Sequence, residues 1–409
     1  MPGFEKSQAL FQRARKVIPG GIPGHQTPAL LIPQKSPCFI EKAEGCRFWD
    51  VDGNAYIDYM CAYGPMILGY NHPKVEKAVQ KQRRKGNCFN LPSPLLVELA
   101  EYLVELVPSA DWAVFGKNGS DATNYACQVA RAHTGRKKII MAEGAYHGIG
   151  AWCNPNTTGI TEEERVNVLT FPYNDLQALR DLVKANKDDV AGLILSPFRH
   201  DAFHDQEMPT EQFLQGLGEL CNPEGPVLII DDVRAGFRLD MRGSAAYFGL
   251  RPQLNCFSKA LGNGYPISAC LGAGDLMPSA KKIYFTGSFF MSGVPMAAAL
   301  ATVQEMVEVQ AIEHIFRMGE KLKQGMLEQA DSLKLEIHYT GPVTLPFMTF
   351  SDDPSFVKAR AFCARAYQEG VFFHPIHNWF ISAAHGEAEI EQTLTVTRKA
   401  FEEVKELFG

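Results

Sequence analysis

Between about residues 95 and 300 the apolar positions fall into two alternating patterns. Segments of helical period, "LLVELAEYLVELV", "ATNYACQVARAH", "LQALRDLVKAN" and "EQFLQGLGELC", are interleaved with short apolar runs, "WAVFG", "KKIIMAE", "AGLILS", "VLIIDD" and "LNCFS". This alternation predicts an α/β fold: a mainly parallel sheet covered by helices on both faces. Ligands of such sheets bind beyond the carboxyl ends of the strands, so the residues just after each run matter most.

The flanks read differently. "EKSQALFQRARKVI" places Leu10, Phe11, Ala14, Val17 and Ile18 at helical spacing and runs into "PGG", which stops a helix. "CFIEKAEGCRFWDVDGNAYIDY" alternates and predicts a hairpin turning on Asp52-Gly53. After "PMAAALATVQEMVEV" come a helix, the strands "LKLEIHY" and "FMTFS", a helix, the segment "VFFHPIHNWFISAA" and a last helix, "EAEIEQTLTVTRKAFEEVKELF". The expected organisation is a large domain over 56–297 and a smaller α+β domain over 298–409, with the N-terminal segment 1–55 joining the small domain.

Length and composition agree with two domains. A chain of 409 residues exceeds what one hydrophobic core holds, and 46% hydrophobic with 21% charged residues is ordinary for a globular protein. The formal charge of −6 offers no basic surface for nucleic acid or acidic membranes, and no stretch has the apolar length of a membrane span. The ten cysteines are scattered singly, with no C-x-x-C pair and no zinc-ligand spacing. They read as small core residues in a reducing compartment, with the cytoplasm as the expected location and no metal.

Three stretches carry chemistry. In "VLIIDDVRAGFRLD" a buried strand runs into Asp231 and Asp232. Two acids there read either as a solvated strand end or as a buried carboxylate, which needs a cationic partner. In "FGKNGSDATNYACQVARA" a strand meets Asn118-Gly119-Ser120-Asp121 and a helix begins, with Ser120 or Asp121 as its N-cap. Free N–H groups and the positive dipole end at such a turn suit a phosphate, and the P-loop order is missing. In "LNCFSKALGNGYP" Lys259 follows a third strand. An amine half-buried on that rim has its pKa lowered and attacks aldehydes. Pyridoxal 5′-phosphate needs all three: a lysine for its aldehyde, a carboxylate for its pyridine nitrogen and a helix end for its phosphate.

The same stretches, with "LFQRARKVIPGG", "FWDVDGNAYIDYMCAYGPMILGYNHPKVEKAV", "AYHG", "FSKALGNGYPISACLG" and "SGVPMAAAL", resemble the class III (subgroup II) pyridoxal-phosphate aminotransferases over nearly the whole chain. The glutamate-1-semialdehyde aminomutase branch is the most similar. The resemblance implies the fold type I architecture of pyridoxal-phosphate-dependent transferases and a homodimer with active sites between subunits. It implies Lys259 as the Schiff-base lysine and proton carrier, Asp231 at the pyridine nitrogen, and Tyr146 over one ring face with Val233 below; Tyr146 reads alternatively as a core aromatic. Asn118, Gly119 and Ser120 would cradle the phosphate, and His147 would join the cofactor site.

Departures from the family pattern bear on the substrate. Phe290 stands where many relatives have a threonine that crosses to the partner's phosphate, and Ser288 or Ser292 could supply that hydroxyl. Ser196 replaces a glutamate at the end of "LILS", and of the histidines that follow, His200 and His204, the ordinary reading is a solvated loop. Arg199 there competes with Arg234 and Arg238 to bind a substrate carboxylate. After "PGG" the aminomutase arginine is missing and His25, Gln26 and Thr27 are present, and a C-terminal acidic residue is missing too. His25 and Tyr63 are candidate substrate contacts, and Trp152, His374, His377 and Trp379 are wall or core residues. The expected activity is transfer of an amino group between an amine or amino acid, bulky or aromatic, and a keto acid or aldehyde. The rivals are an aminomutase or racemase, and a catalytically silent pyridoxal-phosphate-binding protein.

Overall fold

A computed structural model of the chain describes residues 3–32, 35–222 and 224–409. It folds as two compact units: one holds the chain up to His72, Ala202–Asp205 and Glu313–Gly409, the other Pro73–Asp201 and Gln206–Ile312. These divisions fall later in the chain than the boundaries the sequence suggests at 55 and 297, for a physical reason. Ala55–Asp58 pairs in parallel with Val371–Phe372, which ties it to the C-terminal segment, and the helix Gly293–Glu308 packs on the helix Pro73–Arg83.

The second unit carries the predicted sheet. Its seven strands are β1 (Trp112–Gly116), β2 (Lys138–Ala142), β3 (Val168–Phe171), β4 (Val190–Leu195), β5 (Val227–Asp231), β6 (Leu254–Phe257) and β7 (Ser268–Gly272). Their order across the sheet is β1-β7-β6-β5-β4-β2-β3, with β7 antiparallel to both neighbours and the rest parallel. Every residue of β4, β5 and β6 is buried, which is why these strands read as unbroken apolar runs rather than alternating ones.

Helix α1 (Gly119–Thr134) lies across one face of this sheet and touches β1, β4, β5, β6 and β7. Its buried side is rich in small residues, Ala122, Ala126, Cys127 and Ala130, and a Cβ on Gly192 of β4 would stand 3.1 Å from Ala130. Small side chains let the helix seat closely on the strands. Its N-terminus therefore sits where β1 ends, beside the turn that follows β5.

In the first unit the hairpin forms as expected. Arg47–Asp50 pairs with Ala55–Asp58 around Gly53, whose φ is +92°, and Asp50 Oδ1 accepts from the amides of Asp52 and Asn54. A further strand, Ile40–Glu44, precedes it through a turn at Gly45. The N-terminal helix stops at Ala14, earlier than its apolar spacing suggests. Its end tightens into Lys16 N→Arg13 O and Val17 N→Ala14 O bonds, leaving Val17 and Ile18 outside the helix and exposed.

Candidate active site

β5, buried on both faces, delivers Asp231 and Asp232 at its carboxyl end, and both are buried rather than solvated. Asp231 Oδ2 lies 2.7 Å from His147 Nδ1, and its Oδ1 accepts from the Val233 amide at 3.1 Å. That fixes the carboxylate from two sides. Asp232 points elsewhere: its Oδ2 accepts from the Ser244 amide at 2.7 Å, and burial pushes its pKa up to about 7.

Lys259 follows β6 after one extended residue, Ser258, and takes φ +46°, a left-handed conformation costly for a lysine. Ser258 Oγ donates to the Ile267 carbonyl at 2.8 Å and pins the bend. Burial lowers the Lys259 pKa to about 7; Arg234 and Arg238 push the same way and Asp231 opposes them. Near neutral pH a large share of this amine is therefore uncharged. A second lysine of the same unit, Lys117, is brought down to about 8 by burial and has no hydrogen-bond partner for its amine.

At the start of α1, Asp121 Oδ2 accepts from the Lys117 and Asn118 amides, both at 2.8 Å, so it closes the turn. The Gly119 and Ser120 amides lie in the first turn and have no intrahelical acceptor. Ser120 Oγ accepts from the Ile149 amide at 3.1 Å, and Thr123 Oγ1 donates to the His147 carbonyl at 2.7 Å. Two glycines mark places with no spare volume. A Cβ on Gly119 would stand 2.7 Å from the Val233 side chain, and one on Gly148, at φ +120°, would collide with Ser120. Gly148→Ala is expected to cost about 1–3 kcal/mol of stability through backbone strain and overpacking. Urea unfolding measures the loss, and a displaced Ser120 should loosen whatever the helix end binds.

The structure brings Asp231, His147, Val233, Gly119 and Ser120 together through these contacts, with Lys259, Arg234 and Tyr146 within electrostatic range of Asp231. Tyr146 is 43% exposed, so it is not a core aromatic. Ser288 and Ser292 line a cavity of about 580 Å³ with Phe290 and Phe285, where Ser292 Oγ donates to the Phe289 carbonyl at 2.8 Å. In the first unit Tyr63 OH donates to the His25 carbonyl at 2.9 Å and their rings meet edge-on at 4.4 Å. Cys61, Ala62 and Tyr63 all have positive φ, a strained turn that holds Tyr63 in place.

Two expectations, on Arg238 and His200, are corrected, and one open alternative, on Trp379 and His374, is resolved. Arg238 is fully buried, so it does not present its guanidinium to a substrate. Trp379 and His374 are buried and joined by a 2.9 Å bond from the indole Nε1 to the His374 carbonyl, which makes them core. His200 is not a solvated loop residue: it is 7% exposed, and burial and Arg234 push its pKa down, so it stays neutral. Sequence reasoning missed Asp201, which accepts from Arg199 Nε at 2.8 Å; the i, i+2 spacing of opposite charges was the only signal.

A profile of the family described as aminotransferase class-III matches residues 32–400. The chain belongs to the class-III aminotransferases. It is 44% identical to the aminopentol aminotransferase of Sphingopyxis macrogoltabida, covering 99% of this chain and 96% of that one. It is 34% identical to a glutamate-1-semialdehyde 2,1-aminomutase of Desulforamulus reducens over 98% of each. Among solved structures, the FumI protein of Sphingopyxis sp. MTA144 in its PLP internal aldimine form superposes with a TM-score of 0.97, at 44% identity and over 99% and 97% of the two chains.

As a class-III aminotransferase the protein depends on pyridoxal 5′-phosphate. Its residues fit that group: an amine with a pKa near 7, a buried carboxylate fixed by an imidazole, and first-turn amides behind two glycines that leave room for no side chain. Among the described residues no His/Cys/Asp/Glu cluster could hold a metal, and no helix is long and apolar enough to cross a membrane. All ten cysteines are free thiols.

Proposed function

We propose that the centre around Lys259 transfers an amino group from an amine or amino acid to a keto acid or aldehyde. The observation that carries this reading is the placement of Lys259 just after β6 and within electrostatic range of Asp231, the buried carboxylate that ends the neighbouring strand β5 and lies 2.7 Å from His147. Lys259 would hold the cofactor covalently, Asp231 would face its ring nitrogen, and Tyr146 and Val233 would cover its faces. The Gly119 and Ser120 amides, with the Ser120 hydroxyl, would hold its phosphate. When bound, the cofactor supplies an electron-withdrawing ring that stabilises negative charge on the substrate carbon. Lys259, uncharged above about pH 7, would take the proton from the substrate carbon and give it to the cofactor carbon to which its own amine had been joined, which leaves the nitrogen on the cofactor. His147 and the Val233 amide keep the Asp231 carboxylate aimed.

An amine donor is favoured by the 44% identity to a protein named aminopentol aminotransferase. A homodimer accords with the exposed apolar side chains of the second unit, Leu91, Tyr284, Phe289 and Met291, on which a second copy would bury surface. Ten free thiols support a cytoplasmic setting. The test is mass spectrometry of the holoenzyme with a panel of amines and amino acids and a keto-acid acceptor. Donor-derived carbonyl product that appears only with acceptor supports transamination. An isomerised product independent of acceptor contradicts it in favour of an aminomutase. The absence of any amine-dependent spectral change would leave a silent cofactor-binding protein.

A further inference from the structure

Within the first unit a serine, a histidine and an aspartate are joined in one hydrogen-bonded chain. His338 and Thr349 face each other across the antiparallel strands Ile337–Thr340 and Phe347–Phe350, and Ser351 follows the second strand. Ser351 Oγ lies 3.1 Å from His338 Nε2, and His338 Nδ1 lies 2.7 Å from Asp205 Oδ2. Thr349 Oγ1 donates to the other Asp205 oxygen at 2.6 Å, and the Ser351 amide donates to the Glu336 carbonyl at 3.1 Å, so the acid and the serine backbone are each held in place. An ionised carboxylate only accepts, so Nδ1 of a neutral His338 carries the proton and Nε2 turns its lone pair to the Ser351 hydroxyl. The group is open to reagents: Ser351 is exposed, and the His338 and Asp205 side chains are 51% and 39% exposed.

A hydroxyl on an imidazole that is itself oriented by an acid is the arrangement that acyl transfer through serine requires. Two neighbours suit the rest of the reaction. Among the described residues the Asp352 amide, next to the hydroxyl, makes no hydrogen bond to another residue, and Lys358 Nζ holds the Asp352 carboxylate at 2.8 and 2.7 Å. The loop that supplies Asp205 and the segment after Ser351 also meet through Phe203 and Phe356, ring centroids 6.0 Å apart, with Phe203 47% exposed as apolar surface for an acyl chain. We infer that this group is a second, hydrolytic centre for esters of short-chain carboxylic acids, with Ser351 and His338 as catalytic residues and Asp205 positioning the imidazole. Ser351 Oγ bonds to the ester carbonyl carbon as its proton passes to His338 Nε2; the alkoxy C–O bond breaks and the alcohol leaves with that proton. Water, deprotonated by the same nitrogen, then splits the acyl-serine, releases the carboxylic acid and restores the hydroxyl, with nothing oxidised or reduced. An ester suits the site better than an amide, because a single N–H donor stabilises an oxyanion less than a pair does and an alkoxide is the easier leaving group.

The experiment treats the native holoenzyme with a fluorophosphonate probe, which phosphonylates activated serines, maps the adduct by peptide mass spectrometry, and follows hydrolysis of 4-nitrophenyl butyrate in parallel. The expected result is one adduct, on the peptide containing Ser351, absent from unfolded protein and from His338→Gln. Ser351→Ala should lower kcat/KM for the ester by at least about 10-fold. Asp205→Asn should lower kcat by about 10-fold with KM within about twofold, since the imidazole is no longer held in the tautomer that accepts the proton. An adduct on another residue, no adduct, or hydrolysis unchanged in Ser351→Ala overturns the inference, and an unchanged kcat in Asp205→Asn removes Asp205 from it. Labelling of the wild-type protein needs no variant, so it decides even if a substitution prevents folding. None of these assays reads amino-group transfer, so a failure here and a failure of the role of Lys259 are distinguishable.

Discussion

Lys259→Ala is expected to lower kcat for transamination by at least about 10³-fold, because one side chain serves as both covalent anchor and proton carrier. Alanine removes the amine but not the fold around it. The strained backbone at φ +46° remains, and the buried amine, which costs desolvation, is gone. Thermal unfolding should therefore change little while single-turnover kinetics collapses. The pH dependence follows from the same burial. The folded pKa of about 7 lies below the ordinary lysine value, so the amine is protonated and unreactive below about pH 7 and free above it. Cofactor uptake by apoenzyme should accelerate between about pH 6 and 8 and then level off. A rate that keeps climbing toward pH 10 would mean an ordinary solvated lysine.

Asp231→Ala is expected to reduce kcat by about 10²–10³-fold, the usual loss when a single preorganised charge is taken from a reaction centre. It also leaves His147 without its Nδ1 partner, in a ring whose Nε2 already has none. A buried imidazole stripped of its bond should cost about 1–3 kcal/mol of stability. Asp231→Asn separates the two effects: the amide still hydrogen-bonds His147 but carries no charge. It should recover most of the stability in urea unfolding and little of the activity. Parallel recovery of both would mean that Asp231 only positions His147.

The sheet was legible where burial on both faces leaves an unbroken apolar run, as in "AGLILS", "VLIIDD" and "LNCF". It was not legible in β3, four residues at the sheet edge, or in β7, whose "SACLG" is buried throughout but built mostly of small residues where helix α1 and the flanking strands crowd it. Lys259, Asp231 and the start of α1 could be read because each follows its strand directly, and a parallel sheet gathers those ends. What joins them could not. His147 meets Asp231 across 84 residues of chain, and nothing in "AYHG" announces that contact. Residue type alone also overstates availability: Arg238, His374 and Trp379 have the chemistry of a binding wall, and packing removes all three from solvent.

The central claim is that the amine at residue 259 carries the cofactor. Borohydride reduction of the holoenzyme followed by peptide mapping tests it directly, since reduction fixes the pyridoxyl group to whichever lysine holds it. The account predicts one label per chain, on the peptide containing Lys259. A label on Lys117, the other lysine of that unit with a depressed pKa and no hydrogen-bond partner, or on none at all, would contradict it.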